Sequence, residues 1–173
     1  ILELGGNGAV IVSDKADLDI ALRSIYFGAI GTAGQRCTST RRIILHSAIH
    51  DAFLKRLVDL YAKTPIGDPR KNEFLMGPLV DTGAVDTMLA AIETIKAQGG
   101  KIVCGGERLP HAGGCYITPC IASVSKDLPM VQEETFAPVL YVLRYDTIEE
   151  ALAIQNGVPQ GLSSAIMTND QRE

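Results

Sequence analysis

The stretch AVIVSDKADLDIALRSIYFGAIGTAGQRCTSTRRIIL, residues 9–45, decides the predicted fold. Residues 9–13 form a short apolar run, which is typical of a strand buried on both faces of a parallel sheet. Apolar residues then recur at the spacing of one helical face, at Leu18, Leu22, Ile25 and Ala29. Gly31 and Gly34 predict where this helix ends, and residues 42–45 predict a second buried strand. The order strand, helix, strand is typical of a layered α/β domain.

The rest of the chain continues this alternation. We predict a second helix with the apolar stripe Ile49, Phe53, Leu57 and Leu60, capped by Ser47 and ended by residues 65–69. Further helices are predicted at residues 82–98 and 148–154, and further strands at 101–104, 116–121, 139–144 and 162–167. The predicted fold class is therefore α/β, an open, mostly parallel sheet flanked by helices. Because no repeat or linker interrupts the pattern, we expect one domain over residues 1–173.

The composition is that of an ordinary globular protein. Lys and Arg number 16 against 20 Asp and Glu, which gives a net charge of −4, and 46% of the 173 residues are hydrophobic. The basic residues are scattered, so we expect neither nucleic acid nor a membrane surface as a partner. The longest uncharged stretch, residues 151–169, contains glycine, proline and amide side chains that a membrane-spanning helix excludes.

The cysteines and the first residue bear on the origin of the chain. The four cysteines, at 37, 104, 115 and 120, form no C-x-x-C pair, and no N-x-S/T site occurs. We therefore expect a reducing, cytoplasmic environment and no metal site. The chain begins at Ile1 rather than at methionine and has no signal-peptide pattern, so we expect it to be a piece of a longer protein.

Two residues have surroundings typical of catalytic groups. Cys37 follows Gly34-Gln35-Arg36 and precedes three hydroxyl residues, so a neighbouring cation and free backbone N–H groups could favour its thiolate. Glu3 precedes Leu4-Gly5-Gly6 in an apolar segment, where desolvation would raise the pKa of its carboxyl and suit a general base. The alternatives are a buried, inert cysteine and a solvated glutamate. The residues alone leave both open.

Glu133 and Glu134 form a third candidate group, followed by Phe136 and Pro138. Adjacent carboxylates can bind sugar hydroxyls or a metal, but they are also common in solvated loops. The histidines, at 46, 50 and 111, are assigned to structure or surface. Neither G-x-G-x-x-G after a strand nor G-x-x-x-x-G-K-S/T occurs, so the main cradle for any dinucleotide must lie outside this sequence.

In this order and spacing, the three clusters resemble the aldehyde dehydrogenase superfamily. E-L-G-G-N at residues 3–7 is similar to its glutamate signature, G-Q-R-C at 34–37 to its cysteine signature, and E-T-F-A-P at 134–138 to its cofactor-side motif. Asn7 in place of the usual lysine and Ala137 in place of the usual glycine resemble the antiquitin-like branch. That branch comprises the α-aminoadipic semialdehyde (piperideine-6-carboxylate) dehydrogenases of lysine degradation.

The resemblance implies oxidation of an aldehyde to a carboxylic acid with NAD, or alternatively NADP, as cofactor. Cys37 would be the nucleophile that forms first a thiohemiacetal and then a thioester, and Glu3 would activate the water that hydrolyses the thioester. Glu134 would hold the nicotinamide ribose, with Phe136 beside the nicotinamide ring. Arg36 would hold the polar head of the substrate, although an arginine at this position can also simply pack.

The resemblance also implies parts that these residues do not contain. It makes residues 1–173 the catalytic domain, with a dinucleotide-binding domain before it and an oligomerisation segment after it, so that the stretch alone is inactive and the intact protein a homotetramer. Two alternatives stay open: a coenzyme-A-acylating semialdehyde dehydrogenase, and a crystallin-like structural protein. Glu3 argues against the first, because transfer of the thioester to a thiol needs no hydrolytic base. The presence of both Cys37 and Glu3 argues against the second.

Overall fold

The structure is a computed structural model, and it describes residues 1–2, 4–109 and 114–173. Its helices are α1 (Leu18–Ile30), α2 (His50–Tyr61), α3 (Thr82–Ala97) and α4 (Ile148–Asn156). Its strands are β1 (Ala9–Val12), β2 (Arg42–His46), β3 (Lys101–Cys104), β4 (Cys120–Ser123), β5 (Val139–Tyr145) and β6 (Ser164–Met167). The predicted alternation of strands and helices is confirmed.

Within the described ranges, the strands form one sheet in the order β3-β4-β5-β2-β1-β6. Neighbouring strands run parallel except β3, which pairs antiparallel with β4 at the edge of the sheet. Strand β1 is buried along its whole length and β2 along its first four residues, as expected for a parallel sheet covered on both faces. The prediction of an open, mostly parallel sheet flanked by helices is confirmed.

The N-terminus of α2 differs from the prediction. Ser47 does not cap the helix: the N-cap residue is Ile49, and no side chain caps it. The backbone N–H of Ser47 instead donates to the carbonyl of Tyr145 at 2.9 Å, which extends the pairing of β2 with β5 by one residue. Ser47 therefore belongs to the exit of the strand, and a tight turn closed by Ile49 and His46 separates it from the helix.

The strand predicted at residues 116–121 is also shifted. The regular ladder begins only at Cys120, and Ile117 makes an isolated bridge to Arg108. Pro119 explains the interruption, because proline has no backbone N–H to donate to a neighbouring strand. An apolar run that contains a proline thus becomes a short bridge followed by a strand.

The sheet order places the three sequence motifs at one edge. Residues 4–8 lead into β1, residues 34–41 lead into β2, and residues 134–138 lead into β5. Strands β5, β2 and β1 are adjacent and parallel, with Ala9 opposite Arg42 and Arg42 opposite Tyr141. Segments that precede adjacent parallel strands must meet at the amino edge of the sheet. The fold therefore brings the three motifs together.

Candidate active site

Cys37 lies in the loop between α1 and β2, directly after a turn whose residues adopt the left-handed backbone conformation. After α1, Thr32, Ala33 and Gly34 have φ values of 55°, 53° and 67°. Two consecutive non-glycine residues in this region are uncommon and cost roughly 1–2 kcal/mol each. The turn directs the chain into the segment that carries Cys37.

Cys37 sits in a tight turn held at both ends. The backbone N–H of Ser39 donates to the carbonyl of Arg36 at 3.0 Å, and the N–H of Arg36 donates to the Ser39 hydroxyl at 3.2 Å. Cys37 is half-buried and is a free thiol. In the described part of the chain, its own backbone N–H has no acceptor. A donor beside the sulfur is thus available to a developing negative charge on a bound carbonyl oxygen.

The two glycines of the first motif allow its backbone to touch both other motifs. A Cβ added to Gly6 would lie 3.1 Å from the carbonyl carbon of Cys37 and still closer to its oxygen. The Gly6 N–H donates to Glu134 Oε2 at 3.0 Å, and a Cβ on Gly5 would collide with the same carboxylate oxygen. Glu3, the predicted base, lies outside the described residues.

Glu134 is fixed by a buried arginine. Arg41 donates from Nε and from Nη2 to Glu134 Oε1, at 3.1 and 2.9 Å. The Arg41 side chain is 2% exposed and that of Glu134 is 15% exposed. Glu133, by contrast, is exposed. The alternative of a simple solvated loop therefore fails for Glu134, whose carboxylate is held in one place.

Arg41 and its neighbour Arg42 are the residues that sequence reasoning missed. Both are fully buried. Within the described ranges, Arg42 donates only to backbone carbonyls, those of Asn7, Ile154 and Gln155. Burial lowers the pKa of Arg42 to about 10. Burial also lowers the pKa of Arg41, and the nearby Glu134 and Cys37 partly offset this decrease. The signal available in the sequence was the pair of arginines at the entry to a strand predicted to be buried. Buried charges require partners, so this pair indicated acceptors elsewhere in the fold.

Arg36 and Phe136 are more exposed than their neighbours. The guanidinium carbon of Arg36 lies 5.9 Å from the centre of the Phe27 ring, and among described residues none accepts a hydrogen bond from that guanidinium. Phe136 is 39% exposed, and Arg41 lies 5.2 Å from the centre of its ring. Arg36 thus presents unused donors, and Phe136 presents an apolar face.

The other candidates have structural surroundings. His46 packs edge-on against Tyr145, and His50 is buried beside Asp51, whereas His111 lies outside the described residues. Burial raises the pKa of the Cys104 thiol, and it raises the pKa of Cys120 to about 12. No helix in the described ranges is both long and apolar enough to cross a membrane.

Comparisons with known proteins agree with this geometry. The model of the aldehyde dehydrogenase family matches residues 1–173. Aldehyde dehydrogenase family 7 member A1 of Pisum sativum is 49% identical over 168 residues, which cover 97% of this chain and 33% of that protein. Alpha-aminoadipic semialdehyde dehydrogenase of Mus musculus is 44% identical over 171 residues, covering 98% and 32%. Betaine aldehyde dehydrogenase of Staphylococcus aureus, solved in complex with NAD+, matches with a TM-score of 0.93 and 31% identity over 97% of this chain and 34% of that one.

The chain belongs to the aldehyde dehydrogenase family. Within it, the resemblance to the branch of the α-aminoadipic semialdehyde dehydrogenases is confirmed by relatives 42–49% identical over almost the whole chain. The chain spans about a third of the length of these relatives.

Proposed function

We propose that the protein oxidises an aldehyde to a carboxylic acid with a nicotinamide cofactor, and that the aldehyde is α-aminoadipic semialdehyde. The observation that carries this proposal is the meeting of the three motifs: Gly6 contacts the backbone of Cys37 and binds the carboxylate of Glu134. A nucleophile and an anchoring carboxylate in the segments that precede two adjacent parallel strands have the arrangement that the reaction requires.

Cys37 is the proposed nucleophile. Its sulfur adds to the aldehyde carbon, and the thiol proton passes to the carbonyl oxygen, which gives a thiohemiacetal. The N–H of Cys37, which has no acceptor among the described residues, donates to that oxygen as its negative charge develops. Loss of hydride from the same carbon, together with loss of the proton from its hydroxyl oxygen, leaves a thioester on Cys37, and water hydrolyses it to the acid and the free thiol. Glu3 remains the proposed base for the water.

The residues present fit a nicotinamide cofactor. A carboxylate has about four acceptor positions, and three donors occupy positions on Glu134, so hydrogen-bonding capacity remains for a ribose hydroxyl. Phe136 offers an exposed ring beside it. When bound, the nicotinamide accepts the hydride. The neighbour solved with NAD+ supports a nicotinamide cofactor, and NAD rather than NADP is our proposal.

Arg36 supports the choice of substrate. It lies next to the nucleophile, and its guanidinium makes a cation–π contact with Phe27 and no described hydrogen bond. A guanidinium binds a carboxylate through two parallel N–H bonds. An aldehyde that carries a carboxylate several carbons from its reacting end suits this placement, as α-aminoadipic semialdehyde does.

Initial rates of the intact protein test the proposal. We expect NAD-linked oxidation of α-aminoadipic semialdehyde to exceed that of betaine aldehyde and simple aliphatic aldehydes, and coenzyme A to leave the rate unchanged. Cys37→Ala should abolish the reaction, and Glu3→Gln should slow release of the acid while the first burst of NADH remains. Intact activity in either variant would contradict the assigned role. Tetramer formation and a cytoplasmic location stay predictions.

A further inference from the structure

Arg41 makes an unusual number of contacts for a residue to which the proposed reaction gives no part. Besides Glu134, its Nη1 donates to the carbonyls of Gly34 and Thr135, at 3.0 and 2.8 Å, and its Nη2 donates to the carbonyl of Arg36 at 3.0 Å. These partners, and Ala137, whose carbonyl also accepts from Nη1 at 3.4 Å, all lie within three residues of Cys37 or of Glu134. The side chain therefore joins two motifs that are distant in sequence.

On the cofactor side, Arg41 restrains both residues proposed to contact the nicotinamide nucleoside. A glutamate side chain has several rotamers, and fixing them on binding costs free energy that a pre-organised side chain does not lose. The two bonds from Arg41 to Oε1 and the bond from Gly6 to Oε2 fix the carboxylate beforehand. The same guanidinium lies against the ring of Phe136.

On the nucleophile side, Arg41 holds the backbone that leads into Cys37. The carbonyls of Gly34 and Arg36 both accept from it. Movement of the Glu134 carboxylate is thus resisted by the same group that holds the backbone immediately before Cys37. A planar guanidinium with five N–H donors can satisfy these acceptors together, whereas a lysine ammonium has three donors around one point.

We propose that Arg41 is a positioning residue that fixes the Glu134 carboxylate for the cofactor ribose and ties it to the Cys37 loop. This rests on the proposed function, in which Glu134 binds the ribose. Arg41 touches neither substrate nor cofactor and acts through Glu134 and the two carbonyls of the loop.

Arg42 provides a matched control. It is equally buried, stands next in sequence, and donates to backbone carbonyls, without a bond to Glu134. Replacing it removes a buried guanidinium from the adjacent position in the chain. A loss of NAD+ affinity that came only from a weakened fold would therefore appear in both variants.

The test is a double-mutant cycle on NAD+ binding, measured by titration calorimetry of the intact protein, with melting temperatures recorded in parallel. We expect Arg41→Met to raise the Kd for NAD+ about tenfold, the equivalent of one charged hydrogen bond at about 1.4 kcal/mol. Glu134→Gln should raise it similarly. Arg41→Met should add less than twofold in the Glu134→Gln background, because coupled residues are not additive. Arg41→Lys should recover part of the affinity, and Arg42→Met should leave the Kd within twofold.

Three results would overturn the proposal. Additive effects of Arg41→Met and Glu134→Gln, or an equal loss of affinity in Arg42→Met, would make Arg41 a structural residue only. Should Glu134→Gln alone leave the Kd unchanged, the ribose-binding role of Glu134 would fail first, and the role of Arg41 with it. If the methionine variants do not fold, Arg41→Lys and Arg42→Lys form the same cycle with Glu134→Gln.

Discussion

Gly6→Ala is the substitution that most directly tests the contact between the first motif and the Cys37 loop. Gly6 has no positive φ, so alanine can adopt its backbone conformation, and the effect comes from space alone. The added Cβ would lie 3.1 Å from the carbonyl carbon of Cys37 and well inside 3.0 Å of its oxygen, and both atoms belong to the backbone. To reach van der Waals distance, the two segments must separate by about 1 Å.

Neither the Gly6 segment nor the Cys37 turn can move freely to relieve this clash. Gly6 is held by its N–H bond to Glu134, and the Cys37 turn is held by Ser39 and Arg41. A displacement of a catalytic group by about 1 Å can cost about 100-fold in rate. We therefore expect kcat to fall about 100-fold, while overpacking lowers the free energy of unfolding by roughly 1–3 kcal/mol.

Two further alanine variants show whether the effect is local. A Cβ on Gly5 meets the end of the Glu134 side chain, so Gly5→Ala should raise KM for NAD+ more than it lowers kcat. Among the described residues no atom lies within 4 Å of a Cβ added to Gly161, so Gly161→Ala should be neutral. Steady-state kinetics with varied NAD+, together with thermal unfolding, measure all three. Unchanged kcat in Gly6→Ala would refute the contact of the first motif with the nucleophile loop.

Three further predictions follow from the surroundings of single side chains. Burial raises the pKa of Cys120 to about 12, so its thiolate fraction at pH 8 is about 10⁻⁴. Peptide mass spectrometry after iodoacetamide treatment should therefore show Cys37 labelled well before Cys120. Equal labelling of the two cysteines in the folded protein would contradict this prediction. Thr32→Asn should raise the free energy of unfolding by about 0.5–1 kcal/mol, because asparagine tolerates the left-handed conformation that Thr32 adopts at φ 55°. An unchanged or lower denaturation midpoint would contradict backbone strain at Thr32. Phe27→Leu removes the ring that contacts the Arg36 guanidinium. The KM for a carboxylate-bearing aldehyde should therefore rise about 2–5-fold, while the KM for a neutral aliphatic aldehyde stays constant. An equal change in KM for both aldehydes would contradict binding of the substrate carboxylate by Arg36.

Most of the fold could be predicted from local pattern. The helix at Thr82–Ala97 and the strand at Lys101–Cys104 follow from apolar periodicity and the Gly99-Gly100 stop. The errors fell where non-local pairing overrides local preference. Ser47 is a good N-cap residue by type, yet its N–H bonds to Tyr145, a residue almost a hundred positions away.

The candidate site was predictable as three separate clusters. Cys37 and Glu134 were found from their neighbours in sequence and from the family resemblance. Arg41 was not found, because its importance comes from acceptors on two segments, the Cys37 loop and the Glu134 segment, that lie together only in the folded chain. Its charge at the start of an apolar strand was the one local hint.

The amino-acid sequence by itself determined the class of fold, the parallel character of the sheet and the family, since these depend on periodicity and on short motifs read along the chain. Only the tertiary structure decided that β5, β2 and β1 are neighbours, and thus that the motifs preceding them meet. Strand order is set by the packing of whole layers and by crossover connections, which no local pattern encodes. The same is true of the buried ion pair between Arg41 and Glu134, whose partners stand far apart in sequence and are brought within hydrogen-bond distance by that strand order.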